Sequence, residues 1–229
     1  MELSKRLQAV ADLVDANLIV ADIGTDHGYI PIYLVEEQKC RRAFAMDVNE
    51  GPLLRAKEHI AEHGLSHLIE VRQSDGVKAL SPGEAECVVI AGMGGALTIK
   101  IMEEGKEIFR DLKAFVLQPQ SELEKVRQYL YENNYHVVRE DIVLEDGKFY
   151  PMMKVVNGQT SEYDSKELRY GKELLRQKHP VLKQLLEKEQ QTKETILSQL
   201  NPDLGGHVQD RIEELMREIA VVKEALEVY

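Results

Sequence analysis

Tryptophan is absent from this 229-residue chain, and cysteine occurs only at Cys40 and Cys87. The two thiols lie in unrelated segments without metal-ligand spacing. That excludes a disulfide framework and a cysteine-based metal centre, and it reads as a cytoplasmic protein with reduced thiols. Aromatic residues make up 6% of the chain. No apolar run is long enough to cross a bilayer, and the N-terminus lacks the layout of a secretory leader. Positive charge is in deficit: 29 Lys and Arg stand against 40 Asp and Glu, for a net charge of −11. This argues against indiscriminate polyanion binding, though not against an enzyme that meets nucleic acid through one local basic patch. What is abundant is apolar residue, 43% of the chain, enough for a substantial core. The length implies one ordinary domain with an appendage, or two small domains.

The chain is organised around Leu18-Ile19-Val20-Ala21-Asp22-Ile23-Gly24-Thr25-Asp26-His27-Gly28. An apolar run of strand length ends in an acid and a glycine. Gly28 then opens a helix-compatible segment, Tyr29 to Glu37. This is the pattern of a buried parallel strand, a tight turn and a helix N-terminus. Gly24 permits the sharp turn, and Gly28 permits close approach of the helix to the sheet or to a ligand. Helix amides and strand ends converge there, and nucleotide-type ligands bind at such places.

Upstream, Leu3, Leu7, Val10, Ala11 and Val14 recur at helical spacing, with Ser4 at the expected start and Asn17 near the expected stop. Arg6 belongs either to a solvated helix face or to the mouth of the ligand site, since this helix feeds directly into the first strand. Downstream, Ala43 to Val48 reads as a second strand that carries Asp47 at its tip. Asp47 stands at the separation from the glycine turn expected of a ribose-binding carboxylate. Its alternative is a cap for the next helix, a role Asn49 fits equally well. That helix has Pro52 in its first turn, an apolar face of Leu53, Ala56, Ile60 and Ala61, and Gly64 at its end. Leu68 to Arg72 is a third strand, and Gln73-Ser74-Asp75-Gly76 follows. Asp75 either accepts from an exocyclic amine of an adenine ring or makes a plain Asp-Gly turn.

Cys87 to Ala91 is the most apolar strand and is expected to be central and parallel. Gly92-Met93-Gly94-Gly95 brings backbone close to a ligand or to a tight strand-to-helix turn, and its place at a strand end favours the ligand. Ala114 to Pro119 is a fifth strand, followed by a helix with Ser121 as cap candidate. His136 to Val143 and Phe149 to Val156 flank Glu145-Asp146-Gly147 and read as a hairpin. The expected fold is α/β: a Rossmann-like, doubly wound sheet with a C-terminal β-hairpin, spanning residues 1–158.

Residues 159–229 change character. Leu168, Leu175, Leu182 and Ile196 share one heptad phase, Asn201 to Gly206 reads as a turn, and Val208, Ile212, Leu215, Ile219, Val222 and Leu226 form a second seam. The expectation is an all-α antiparallel coiled-coil domain reaching roughly 30–40 Å, with Pro180 kinking or dividing its first helix. Such a hairpin is either a packing and dimerisation element or a clamp for a large substrate. Lys166, Arg169, Lys172, Arg176, Lys178 and Lys183 make its first helix the most basic stretch, interleaved with acids.

A hairpin closing a doubly wound sheet marks the class I methyltransferases, which use S-adenosyl-L-methionine, whereas dinucleotide dehydrogenases continue with another βαβ unit. The run Asp22 to Gly28 resembles the acid-x-Gly-x-Gly-x-Gly motif of that superfamily, with Asp26 where the middle glycine usually stands. Asp47 and Asp75 fall where the superfamily places its ribose and adenine contacts. With them, Arg6, Asp22, Gly24, His27, Gly28, Val48, Gly76, Gly92 and Met93 complete the expected cofactor-binding set. Gly-Thr-Asp-His-Gly-Tyr, Ala91-Gly92-Met93-Gly94-Gly95, Gln118-Pro119-Gln120 and Lys148-Phe149-Tyr150-Pro151, together with a coiled-coil tail, resemble something narrower. Over essentially its whole length the chain is similar to the bacterial tRNA (adenine-22-N1) methyltransferases. The resemblance implies S-adenosyl-L-methionine as cofactor, tRNA as partner, a D-loop adenine as target, and neither metal nor membrane.

Methyl transfer is an in-line displacement at a sulfonium methyl, in which positioning and desolvation do most of the work. The N1 lone pair of adenine is already nucleophilic, so no strong base is obligatory, and a nearby carboxylate stabilises the cationic product. Asp26 is the candidate carboxylate, facing either the target base or the methionine ammonium. Tyr29, the second catalytic candidate, stacks on a flipped adenine, lines the methionine pocket, or packs on its helix face. His27 either donates to a ligand or caps the helix locally. Enzymes acting on the exocyclic amine of adenine often carry Asn/Asp-Pro-Pro-Tyr after the fourth strand. Ala91-Gly92-Met93-Gly94 stands there instead, which fits a ring-nitrogen target. Phe149 and Tyr150 are core or substrate-face aromatics.

Two other functions start from the same residues. One is a methyltransferase acting on a small molecule, against which the long arm counts. The other is a non-catalytic RNA-binding module that retains the cofactor, against which the acids at positions 22, 47 and 75 count. The tRNA reading expects a basic surface at the cofactor mouth that includes Arg6, Arg55, Lys57 and the first arm helix.

Overall fold

A computed structural model describes residues 1–200 and 206–229. They divide into two compact units, Met1–Ser161 and Glu162–Tyr229. In the first unit the order is α1 (Lys5–Asp12), β1 (Leu18–Ile23), α2 (Tyr29–Glu36), β2 (Cys40–Asp47), α3 (Glu50–Glu62), β3 (Ile69–Gln73), β4 (Cys87–Met93), α4 (Gly95–Glu104), α5 (Lys106–Asp111), β5 (Ala114–Pro119), α6 (Leu123–Glu132), β6 (Tyr135–Glu145) and β7 (Lys148–Asn157). The strands form one seven-stranded sheet in the order β3-β2-β1-β4-β5-β7-β6. Strands β1 to β5 pair in parallel, whereas β7 runs antiparallel to β5 and to β6. Chain order reverses between β1 and β4, so the loops leaving their C-terminal ends part and open a crevice there.

Two apolar clusters hold this mixed α/β unit together, one on each face of the sheet. Ala9 to Val14 of the α1 region, Ile30 to Val35 of α2, and Ala56 and Ile60 of α3 cover one face. Ile101 and Met102 of α4, Phe109 of α5, and Val126, Tyr129 and Leu130 of α6 cover the other. Alternate strand residues point to opposite faces. Val20, Ala43 and Ala45 accordingly join the first cluster, and Ala21, Phe44 and Met46 the second. Burying one such aliphatic side chain contributes about 1.5–3 kcal/mol, and a one-residue slip would expose a whole strand's set, so the register is firm. Cys40 and Cys87 are free and buried. Burial pushes both thiols up to about 12, which keeps them inert.

Local chemistry explains the turns. Asp146 and Gly147 take φ of 49° and 74°, the two left-handed residues of a type I′ turn joining β6 to β7. Helix α3 ends where Gly64 takes φ 70°. Other expectations are corrected. Helix α1 stops at Asp12, and Asn17 instead adopts φ 65° in the turn before β1, its N–H donating to the Lys39 carbonyl at 2.7 Å. Ser121 does not cap α6: Glu122 stands at that position with φ 53° and no side-chain cap. The Ser121 hydroxyl instead accepts from the Gly95 amide at 3.2 Å and fastens the start of α4. Asn49 is the N-cap residue of α3 but makes no capping bond with its side chain; the Asp47 carboxylate accepts the Asn49 N–H at 2.7 Å.

The second unit contains α7 (Ser165–Tyr170), α8 (Lys172–Arg176), α9 (Pro180–Gln199) and α10 (Gly206–Leu226). Asp164 and Glu167 form a capping box at the start of α7. The helical stretch is divided at Pro180 and not kinked there: α8 ends at Arg176 and α9 starts at the proline. At that first position its missing N–H costs nothing. The breaks fall at Gly171 (φ 96°) and Lys178 (φ 50°). Helices α9 and α10 run antiparallel: the Tyr229 hydroxyl donates to the His179 carbonyl at 3.0 Å, Lys193 pairs with Glu218, and Lys223 pairs with Glu194 at 3.0 Å. Leu182, Leu186, Leu215, Ile219, Val222 and Ala225 are buried, whereas Ile196 is 40% exposed and lies off the seam. Twenty residues of α9 span roughly 30 Å. The turn expected at 201–206 lies outside the described residues except for Gly206, which begins α10.

The basic stretch is largely neutralised within its own unit. Lys166 pairs with Asp164 at 2.8 Å, Arg169 with Glu189 at 2.8 Å, Lys172 with Glu167 at 3.5 Å, and Arg176 with Glu173 at 2.7 Å. Among the described residues, no helix is long and apolar enough to cross a membrane.

Candidate active site at the C-terminal ends of β1 and β4

A cavity of about 310 Å³ opens where β1 and β4 end. Six of the anticipated residues line it: Arg6, Asp22, Gly24, Asp26, Tyr29 and Gly92. The turn after β1 is tied down by the carbonyl of Met46, which accepts the N–H groups of Gly24 at 2.8 Å and Thr25 at 2.9 Å. Gly24 takes φ +76°, which strains any side chain there, and a Cβ would lie 2.1 Å from the Met93 methyl, which would have to swing aside. Gly92 takes φ +81° beside Arg6 and Gln120. The glycine run is therefore of mixed purpose. Gly92 faces the cavity, whereas a Cβ at Gly95 would meet the Ser121 carbonyl oxygen at 2.5 Å, so that glycine serves the packing of α4.

Asp22 is 5% exposed at the cavity wall. Burial pushes its carboxyl up to about 7, and the charge of Asp47 adds to the rise. The hydroxyl of Thr25 stands close enough to oppose that rise, yet it makes no hydrogen bond of normal geometry and is buried without a partner. Arg6 is not a solvated surface charge. Its Nη1 donates to the Gln118 amide oxygen at 2.9 Å, and its guanidinium lies 5.6 Å from the Tyr150 ring. The same Gln118 oxygen accepts from the Gly92 amide at 3.1 Å.

Asp26 is exposed and pairs with Arg55 at 2.8 Å. Arg55, expected on a basic outer surface, is thus engaged in the turn. His27 adopts φ 61°, its Nδ1 is buried without a partner, and its ring stacks on Tyr29 at 5.3 Å and 10°. Gly28 is the left-handed N-cap residue of α2 and lies over Ala56 of α3.

The remaining anticipated residues lie at the ends of β2 and β3 and do not line this cavity. Asp47 and Val48 are joined to the next loop by the Asp47 carbonyl, which accepts from Ser74 N–H at 2.9 Å, and by the Val48 carbonyl, which accepts from the Gln73 side chain at 3.0 Å. Asp75 is paired with Lys78, which holds its carboxyl below the usual range. Gly76 takes φ +61° against Ile101.

Sequence reasoning passed over three residues as site members. Gln118 is fully buried, and the signal for it was an amide at the end of an otherwise apolar strand. Gln120 lines the cavity. His59 of α3 contacts the rings of His27 and Tyr29 at 5.3 and 5.6 Å and carries no local sequence signal. No group of three or more His, Cys, Asp or Glu able to hold a metal occurs among the described residues.

The whole chain resembles proteins already studied. Residues 20–224 match the family model TrmK, described as tRNA (adenine(22)-N(1))-methyltransferase. The tRNA (adenine(22)-N(1))-methyltransferase of Bacillus subtilis is 34% identical over 233 residues, covering 99% of this chain and 98% of the relative. A Streptococcus pneumoniae protein solved in complex with S-adenosyl-L-methionine superposes with a TM-score of 0.89 at 33% identity, over 98% of this chain and 100% of that one. Mycoplasma capricolum TrmK, solved with S-adenosyl-homocysteine, gives 0.86 at 26% identity, over 100% and 99% of the two chains. On this evidence the chain belongs to the TrmK family of tRNA (adenine(22)-N(1))-methyltransferases.

Proposed function

We propose that the chain methylates ring N1 of adenine 22 in the D-loop of tRNA, with S-adenosyl-L-methionine as methyl donor. The observation that carries this reading is the cavity between β1 and β4, where a buried carboxyl (Asp22), an exposed carboxylate (Asp26) and an aromatic ring (Tyr29) meet. The donor set fits a cationic, ribose-bearing cofactor. Asp22 faces the cavity from a buried position, the Thr25 hydroxyl has no hydrogen-bond partner among the described residues, and Gly24 and Gly92 bare their backbone to the same space.

In this reading Asp22, Gly24, Gly28, His27, Gly92, Met93 and Arg6 hold the amino-acid half of the cofactor. Arg6, braced by Gln118, meets its carboxylate. Asp47 and Val48 take the ribose side, and Asp75 and Gly76 the adenine side. S-adenosyl-L-methionine supplies the electrophilic methyl group when bound. The protein's part is alignment and exclusion of water. Tyr29 and His27 offer a stacked face for a base turned out of the tRNA. Asp26 offsets the positive charge that the ring gains when N1 is methylated. No proton leaves N1, so no general base is required.

Residues 159–229 act as a coiled-coil arm that docks tRNA, the large substrate for which a reach of roughly 30 Å is useful. The test is methyl transfer from labelled S-adenosyl-L-methionine to unmodified bulk tRNA, followed by nucleoside digestion. Label recovered as 1-methyladenosine is expected. Cofactor binding without label in any tRNA would overturn the substrate assignment and leave the fold standing.

A further inference from the structure

His59 lies outside the motif turn, on α3, yet it touches the turn at three points. Its Nδ1 is 3.1 Å from the carbonyl oxygen of His27, and its ring contacts both the His27 and the Tyr29 rings. A carbonyl oxygen can only accept, so in this contact Nδ1 carries the proton and donates it. The peptide it grips is unusual: His27 takes φ 61°, a conformation that a non-glycine residue keeps only when its surroundings enforce it. One helical turn earlier on α3, Arg55 holds Asp26 at 2.8 Å. Between them, Ala56 supports Gly28, whose added Cβ would lie 3.5 Å from the Ala56 Cβ. Three residues on one face of α3 therefore seat three consecutive residues of the turn. Of these contacts, the Asp26 pair is exposed and weakly constraining. The hydrogen bond from partly buried His59 is the directional one.

We propose that His59 is a positioning residue: its Nδ1–H bond to the His27 carbonyl sets the left-handed turn and thereby the orientation of the Tyr29 ring toward the target base. The substrate half of this inference rests on the function proposed above, whereas the structural half does not.

The experiment uses the full chain with two variants. His59→Phe keeps an aromatic ring and removes the donor. His59→Asn removes the ring and keeps an N–H donor close to the Nδ1 position. For His59→Phe, kcat on tRNA is expected to fall about tenfold to a hundredfold, as misplacement of a reacting geometry does. S-adenosyl-L-methionine affinity by calorimetry is expected to weaken by only about twofold to fivefold, less than kcat falls, because the same turn also carries His27 and Gly28 of the proposed cofactor set. His59→Asn is expected to recover most of the loss. Equal loss in both variants would overturn the hydrogen-bond role in favour of the ring, and unchanged kcat in His59→Phe would overturn the proposal entirely. Nitrogen-15 shifts of the His59 ring in the wild type provide a readout independent of activity. The Nδ1–H tautomer is expected, and the Nε2–H tautomer would refute the inference. If the wild type transferred no methyl group to tRNA, the functional reading would fail while this measurement still decided the hydrogen bond.

Discussion

The Arg6 guanidinium donates across 2.9 Å to the amide oxygen of Gln118, a residue with no exposed surface. The bond joins the first helix of the chain to the end of β5, and the same oxygen restrains the Gly92 amide at the end of β4. One buried amide thus fixes a cation and a left-handed glycine at the mouth of the cavity. Gln118→Leu leaves the Gly92 N–H and Arg6 without their acceptor, a loss that costs about 1–3 kcal/mol. That loss should appear as reduced stability in chemical denaturation, and cofactor affinity should weaken as Arg6 and Gly92 lose their restraint; a folded variant that binds normally would remove Arg6 and Gly92 from the site.

Asp47 ends β2, and its carboxylate accepts from the backbone N–H of Asn49 two residues on. If it also accepts from ribose hydroxyls, Asp47→Ala should weaken S-adenosyl-L-methionine binding by roughly 1–3 kcal/mol. An unchanged dissociation constant in a folded Asp47→Ala protein would contradict the ribose assignment.

Asp22 introduces a pH dependence with two signs. Its carboxyl is raised to about 7 in the folded protein, against an ordinary value near 3.9 in an unfolded chain. The folded state holds the proton more tightly. That stability is therefore fully present below about pH 4 and is lost as pH rises through about 7. Cofactor binding runs the other way, because a ligand bearing ammonium and sulfonium charges favours the ionised carboxylate. Affinity should rise between about pH 6 and about pH 8, with proton release detectable in buffers of different ionisation enthalpy. Asp22→Asn should abolish both the slope and the release.

Arg127 and Glu140 form an ion pair at 2.9 Å with 1% and 0% side-chain exposure, joining α6 to β6. Arg127→Met takes this cationic partner from the buried Glu140 carboxylate and should cost about 3–5 kcal/mol in chemical denaturation. The double variant Arg127→Met/Glu140→Leu should recover most of that loss. If it remained as unstable as the single variant, the damage would lie in packing and not in the lost ion pair.

Both apolar clusters of the first unit are built from residues no later than Val155. Truncation after Ser161 is therefore expected to leave cofactor affinity within about twofold. If the arm docks tRNA, kcat/KM for tRNA should fall about tenfold or more, the equivalent of at least 1.4 kcal/mol. Full tRNA activity in the truncated protein would assign the arm to another purpose.

Much of this molecule was legible in its chain. Apolar runs ending in Asp22, in Asp47 and before Gly92 announced parallel strands, because only strands buried on both faces tolerate such continuous hydrophobicity. Glu145-Asp146-Gly147 announced a hairpin, because Asp and Gly tolerate the positive φ that its tight turn needs. The left-handed turn at Gly24 followed from local sterics. These are short-range properties that neighbouring residues decide among themselves. Other features depended on partners distant in sequence. Pro180 suited a kink as readily as a division, and the break over residues 177–179 made it the first residue of α9. The charges of Arg55 and Arg169 were visible, but their neutralisation by Asp26 and Glu189 was set by how the chain folds back on itself. Gln118 meets Arg6 across 112 positions of sequence, and His59 meets His27 across 32. Residue types and local spacing specified the strands and the motif turn. Only the packing of α3 and β5 against them selected which polar side chains brace the site, because hydrogen bonds over that separation require the completed core.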